Sequence, residues 1–138
     1  MILGLGVDLC SISRMERAAR SPHFVRRLFR PAEIAYAEGK GKGRAGAYAS
    51  AFAAREAFAK ASGVSIYRLA LASRICLERT EEGPRLAVPP EVDAAFERGE
   101  KRAWVSLTHD GDYAAAVVVI ENLRWNLQSG ICDRERPP

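Results

Sequence analysis

The chain has 138 residues, 48% of them hydrophobic and 28% charged, which is enough for one domain with its own core and no disulfide staples. No apolar run approaches the roughly 20 residues of a membrane span, and the opening Met1-Ile2-Leu3-Gly4-Leu5-Gly6 carries neither a basic segment nor a cleavage-site pattern, so neither a membrane partner nor a signal peptide is expected. Lys and Arg number 21 against 17 Asp and Glu, a net charge of +4; this favours acidic partners, whether nucleic acid, phosphorylated cofactor or acidic protein, without choosing among them. Cys10, Cys76 and Cys132 are odd in number, far apart and in no metal-ligand spacing, the pattern of reduced thiols in a cytoplasmic protein.

The first segment reads as a strand. Leu3, Leu5, Val7 and Leu9 alternate with Gly4, Gly6, Asp8 and Cys10, giving one aliphatic face and one nearly bare face around a carboxylate. Ser13-Arg14-Met15-Glu16 has the spacing of a capping box and starts a short helix. Ser21-Pro22 and Arg30-Pro31 are two further helix starts with Pro at the first helical position, the first of them turning Phe24, Leu28 and Phe29 to the core. A flexible basic loop over Gly39 to Gly46 leads into a long alanine-rich helix from about Ala47 to Ala61, closed by Ser62-Gly63. Its alanines admit close approach of other backbones, so burial on several sides is expected.

Strands follow, over Leu69 to Leu77 and Arg85 to Val88, joined at Glu81-Glu82-Gly83-Pro84. Pro90 to Arg98 is a short helix ended by Gly99. Ala103 to His109 and Tyr113 to Glu121 form a hairpin around Asp110-Gly111-Asp112. One strand, a block of helices, then strands with one inserted helix make a single α+β domain over residues 1–121, with a polar tail over 122–138.

Three places carry candidate chemistry. Asp8 stands on the glycine face of its strand, where Gly4 and Gly6 leave room for a ligand or a packed element; it is either a metal-binding carboxylate or a strand-end Asp in water. Glu56 and Lys60 are four apart on one face of the alanine-rich helix, with Glu56 about 40° around from Phe52. They form an ordinary ion pair, or else Glu56 joins Asp8 in holding Mg²⁺ while Lys60 holds a phosphate, since Mg²⁺ takes one or two protein carboxylates with phosphate and water completing its shell. His109, at a strand end, is a surface residue or a group for proton transfer or ligand contact. The loop at Gly39 to Gly46 matches no P-loop.

Taken in order, Gly4-Leu5-Gly6-Val7-Asp8 with Ile12-Ser13-Arg14, then Phe52-Ala53-Ala54-Arg55-Glu56-Ala57-Phe58-Ala59-Lys60-Ala61, then Val105-Ser106-Leu107-Thr108-His109 with Tyr113-Ala114-Ala115-Ala116, resemble the bacterial holo-acyl-carrier-protein synthases from Met1 to about Glu121. The resemblance implies transfer of 4′-phosphopantetheine from coenzyme A to a serine of an acyl carrier protein in fatty acid biosynthesis, with release of adenosine 3′,5′-bisphosphate. It implies a homotrimer with active sites between subunits. It also implies Mg²⁺ on Asp8 and Glu56, phosphate contact at Lys60, a coenzyme contact at His109, and a carrier-protein contact at Arg14. The family pattern Leu-Ala-Gly-Arg-Phe-Ala-Ala-Lys-Glu-Ala reads here Tyr48-Ala49-Ser50-Ala51-Phe52-Ala53-Ala54-Arg55-Glu56-Ala57. Arg55 replaces a lysine and is expected at the coenzyme phosphates. Arg44 in the preceding loop is expected to substitute for the arginine absent at Ala51, and Ser65 stands where Gly-x-Gly is usual.

Two other readings compete. A small basic nucleic-acid-binding domain fits the charge, but no aromatic alternates with basic residues along a strand as a stacking platform requires, so no nucleic-acid partner is expected. A catalytically impaired relative acting as a structural partner finds its support in Ala51.

Overall fold

The computed structural model describes residues 1–63 and 74–124. Strand β1 (Ile2–Ser11) runs into helices α1 (Ile12–Ala18), α2 (Pro22–Leu28) and α3 (Pro31–Glu38). A 3₁₀ turn at Gly41–Gly43 leads into the 19-residue helix α4 (Arg44–Ser62). Then come β2 (Cys76–Thr80), β3 (Gly83–Ala87), α5 (Pro90–Glu97), β4 (Lys101–Asp110) and β5 (Tyr113–Asn122). The strands form an antiparallel three-stranded sheet in the order β1-β5-β4 and a separate β2-β3 hairpin. The α+β class is as expected.

The core forms where α4 lies on the sheet, and glycine decides which face of β1 it meets. An added Cβ at Gly4 would stand 1.8 Å from the Ala61 carbonyl oxygen, and at Gly6 1.9 Å from that of Ala57. Backbone therefore meets backbone, and the small side chains on both sides permit it. The inner row continues through Ala114, Ala116, Val118 and Ile120 of β5, all buried. On α4, Tyr48, Ala49, Ala53, Ala54 and Ala57 have no exposed surface, which is the many-sided burial that the alanines imply. The aliphatic row Leu5, Val7 and Leu9 faces outward at 67%, 59% and 61% exposure.

Helices α2 and α3 begin at the expected prolines, with the Ser21 hydroxyl accepting from Phe24 N. Phe29 is buried, and Phe24 and Leu28 pack against the core. Gly63 closes α4 in the left-handed conformation, φ 67°. Three expectations need correction. The N-cap of α1 is Ser11, whose hydroxyl accepts from Arg14 N, because the backbone is extended at Ser11 (φ −69°, ψ 123°) and helical from Ile12, which leaves Ser13 inside the first turn, bonded to Asp112 in the β4–β5 turn. The last three of the eight residues of the expected loop before α4 are α-helical: the helix starts at Arg44, which is anchored by Glu38 and the Ala19 carbonyl. Strand β2 starts at Cys76, and residues 69–73, with the turn at Ser65, lie outside the described residues. Beyond Asn122, Leu123 N donates to the Glu100 carbonyl and Arg124 pairs with Glu100, while the rest of the expected tail lies outside the described residues.

One buried ion pair ties the helices to the hairpin. Arg55 and Glu33 have side chains 2% exposed and pair with each other. Glu33 also accepts from Arg30 N and Leu77 N, both at 2.7 Å. Arg55 donates to the carbonyls of Ala51 (3.1 Å) and Ile75 (2.8 Å). Two backbone groups flanking the start of β2 are thus held by charged partners on α3 and α4, an arrangement that costs about 3–5 kcal/mol to break from one side. The expectation of Arg55 at the coenzyme phosphates is corrected accordingly: an enclosed guanidinium with these partners has no surface to offer a ligand.

Candidate active site

Close packing of β1 on α4 sets three side chains side by side. Asp8 lies on the glycine face of β1, one alternation beyond Gly6, and its side chain is 16% exposed. Lys60 on α4 reaches across to it: Nζ donates to Asp8 Oδ1 and to the Val7 carbonyl oxygen, each at 2.9 Å. Glu56, one helical turn before Lys60, is half-buried and has no hydrogen-bond or ion-pair partner among the described residues. Burial pushes its carboxyl above the ordinary range, the Asp8 charge adds to this, and Lys60 partly offsets it. The helical i,i+4 pairing of Glu56 with Lys60 does not form; the lysine serves the strand instead.

The cluster has a definite chemical capacity. Two carboxylates and a lysine whose side chain is 54% exposed stand at one edge of the sheet. No group of three or more His, Cys, Asp or Glu side chains that could hold a metal occurs among the described residues, so an all-protein metal cage is absent there. A pair of hard oxygen donors fits Mg²⁺, which keeps several waters and draws further ligands from phosphate. Cys10 sits two residues along the same face with its thiol pushed up by burial, then by Asp8, so it remains protonated and unreactive at neutral pH.

The other expected site residues lie apart from this cluster within one chain. Arg44 is twelve residues before Glu56 on α4, about 18 Å along the axis, where its guanidinium holds Glu38 and stacks over Tyr48. His109 pairs with Ala114, which pairs with Cys10. It therefore shares the inner face with Asp8 but stands two strands away from β1, about 10 Å, and is exposed. Arg14 is exposed in the first turn of α1. Ala51, where the family pattern has arginine, is 4% exposed.

Sequence reasoning missed the direct Lys60–Asp8 contact, the Glu33–Arg55 pair and the Asp112 cluster. Only the second left a readable trace: Pro31 at the first helical position followed by Glu33 at the third marks a carboxylate that bonds back to the Arg30 amide.

The model of the 4′-phosphopantetheinyl transferase superfamily matches residues 4–118. The chain is 40% identical over 129 residues to a holo-[acyl-carrier-protein] synthase of Anaeromyxobacter dehalogenans strain 2CP-C, covering 88% of this chain and 97% of the relative. It is 36% identical over 122 residues to the Treponema denticola enzyme of the same name, covering 88% and 99%. The fold is similar to the crystal structure of holo-[acyl-carrier-protein] synthase from Neisseria meningitidis, with TM-score 0.76, 31% identity and coverage of 88% and 100%. It is also similar to the holo-(acyl-carrier-protein) synthase of Bacillus anthracis in complex with CoA (3′,5′-ADP), with TM-score 0.73, 29% identity and coverage of 88% and 98%. The family model spans most of β1, all of α4 and most of the β4–β5 hairpin, and so covers the Asp8–Glu56–Lys60 cluster that β1 and α4 build; the chain belongs to the 4′-phosphopantetheinyl transferase superfamily.

Proposed function

We propose that the chain is a holo-[acyl-carrier-protein] synthase: it transfers the 4′-phosphopantetheine of coenzyme A to a serine of apo acyl carrier protein and releases adenosine 3′,5′-bisphosphate, in the service of fatty acid biosynthesis. The observation that carries the reading is the convergence of Asp8, Glu56 and Lys60 in a chain whose relatives bear that name along nearly their whole length. Asp8 and Glu56 would hold Mg²⁺, which when bound neutralises charge on the coenzyme pyrophosphate. Lys60 has three donors and spends two on Asp8 and Val7 among the described residues, so a third would orient a phosphate oxygen. The serine oxygen attacks the phosphorus next to pantetheine, and its proton goes to Glu56, which has no hydrogen-bond or ion-pair partner among the described residues, or to a water in the site. The bond from that phosphorus to the bridging oxygen breaks, and adenosine 3′,5′-bisphosphate leaves with it. Cys10 and Cys76 are free thiols, which accords with a cytoplasmic setting.

The test is the intact mass of an apo acyl carrier protein after incubation with this protein, coenzyme A and Mg²⁺, alongside an EDTA control. The expected result is a gain of one phosphopantetheine that EDTA abolishes. A gain that survives EDTA removes the metal from Asp8 and Glu56. No gain with several carrier proteins, from folded protein, overturns the transferase reading.

Arg14, Arg20, Arg26 and Arg27 are all exposed on and around α1 and α2, a basic surface suited to an acidic carrier protein. The homotrimer finds support in two features. The outer face of the main sheet leaves Leu5, Val7, Leu9, Trp104, Tyr113 and Val117 between 39% and 67% exposed, an apolar patch of the kind that protein contacts cover. His109 and Arg44 also lie away from their own chain's cluster, as expected if they serve the coenzyme in a neighbour's site. Light scattering should give the mass of three chains, and Leu5→Glu, on a face that the monomer does not bury, should give one. A monomeric wild type would end the trimer reading.

A further inference from the structure

The first turn of α1 is built by a residue 98 positions away from Arg14, in the β4–β5 turn. Asp112 Oδ2 accepts from the hydroxyls of Ser11 and Ser13, both at 2.8 Å. Its Oδ1 accepts from Ser13 N at 2.8 Å, and its main-chain carbonyl accepts from Ile12 N at 2.7 Å. Ser11, held in this way, accepts from Arg14 N at 3.3 Å. Asp112 therefore satisfies two of the first three backbone donors of the helix itself and fixes the hydroxyl that meets the third. Helix α1 has only seven residues, too few to hold a fixed first turn unaided. Asp112 is exposed, its neighbour Gly111 turns at φ 54°, and its side chain packs into no core. Among the described residues, its side-chain hydrogen bonds go to α1 and its cap alone.

We propose that Asp112 is a positioning residue for carrier-protein binding: it fixes the first turn of α1 and, through it, the direction in which Arg14 meets the carrier. This rests on the reading that Arg14 contacts the carrier protein. Asp112 does not touch the Asp8–Glu56–Lys60 cluster in any contact of the structure, so the effect falls on one substrate only. The strand pairing of β4 with β5 leads from this turn to His109, but the turn itself is closed by backbone bonds that a side-chain change leaves in place.

The test is steady-state kinetics of the wild type, Asp112→Ala, Asp112→Asn, Arg14→Ala and the Asp112→Ala/Arg14→Ala double variant, varying coenzyme A and apo acyl carrier protein separately. Asp112→Ala is expected to raise KM for the carrier protein about fivefold, the scale of a lost helix cap, with KM for coenzyme A and kcat within about twofold of wild type. Asp112→Asn keeps an acceptor for Ser13 N and is expected to fall between the two. The double variant is expected to be no worse than Arg14→Ala, since both changes remove one contact. A merely structural role would move both KM values or kcat together and would overturn the proposal, as would full additivity in the double variant. An Arg14→Ala enzyme with unchanged carrier KM would defeat the Arg14 reading itself, and the proposal with it. An elevated carrier KM in Arg14→Ala beside an unchanged one in Asp112→Ala would defeat the proposal alone.

Discussion

Glu56→Gln is expected to lower kcat by about 10²–10⁴-fold, the range that a positioned proton acceptor supplies, and to leave the fold intact. The substitution keeps the size of the side chain and breaks no internal bond, because Glu56 has no hydrogen-bond or ion-pair partner among the described residues. What it removes is the negative charge that the reaction needs, whether to take the serine proton or to help hold Mg²⁺. A Glu56→Gln enzyme with full activity would sink both assignments. Lys60→Met is a poorer choice of variant, since it strips Asp8 of its partner and mixes a structural effect with a chemical one.

The same substitution should separate activity from stability. In metal-free protein the Glu56 carboxyl is raised by burial, and then by Asp8, with Lys60 opposing. A carboxyl whose pKa is higher folded than unfolded favours the folded state while it is protonated. That contribution is lost as pH rises from the ordinary glutamate range through the raised folded value. In EDTA, Glu56→Gln should therefore gain in Tm relative to wild type as pH increases from about 4 to 8. The variant would be less active and no less stable, the usual sign of a group kept for chemistry at some expense to the fold. Equal Tm differences at both ends of the range would remove the electrostatic argument for Glu56.

Much of this arrangement is legible in the residues. The alternation of β1, the prolines opening α2 and α3, the alanine run of α4 and the two-residue turn at Gly111 are local signals, and local physics decides them. The pairing of Asp8 with Glu56 was also reachable, because a bare strand face and a small-residue helix call for each other. Contacts that depend on the approach of distant elements were not legible. Lys60 has a carboxylate one turn away on its own helix and another on β1, and only the depth of the β1–α4 packing sends it to Asp8. Arg55 follows the same logic. Its place beside Glu56 in the sequence reads as a place beside it in the site, yet the helical turn between neighbours sends one to the edge of the sheet and the other to Glu33 in the core. Ser13 has the spacing of a cap and loses that role to Ser11, because the Asp112 carbonyl and carboxylate, from the far end of the chain, take the Ile12 and Ser13 amides and start the helix one residue before Ser13.

Gly6→Ala, like Gly4→Ala at the same contact, is expected to be severely damaging. The new Cβ would stand 1.9 Å from the Ala57 carbonyl oxygen and 2.8 Å from Ala61 N. These are backbone atoms within one helix, so no side chain can swing aside, and β1 or α4 must move as a body. Overpacking of this kind costs about 3 kcal/mol or more, a fall in Tm of roughly 10 °C for a chain of this size, compared at one protein concentration. Gly43→Ala is the comparison variant: among the described residues its Cβ would meet only Lys40 Cβ at 3.5 Å, and at a helix N-cap, where glycine is preferred to alanine, the change costs about 1 kcal/mol or less. The Gly6 variant should also lose activity beyond its loss of stability. Asp8 is two residues further along the same strand, and moving β1 off α4 pulls it from Lys60 and Glu56 together. If Gly6→Ala melted with the wild type, the close approach of β1 to α4 would be wrong, and the site built on that approach would be wrong with it.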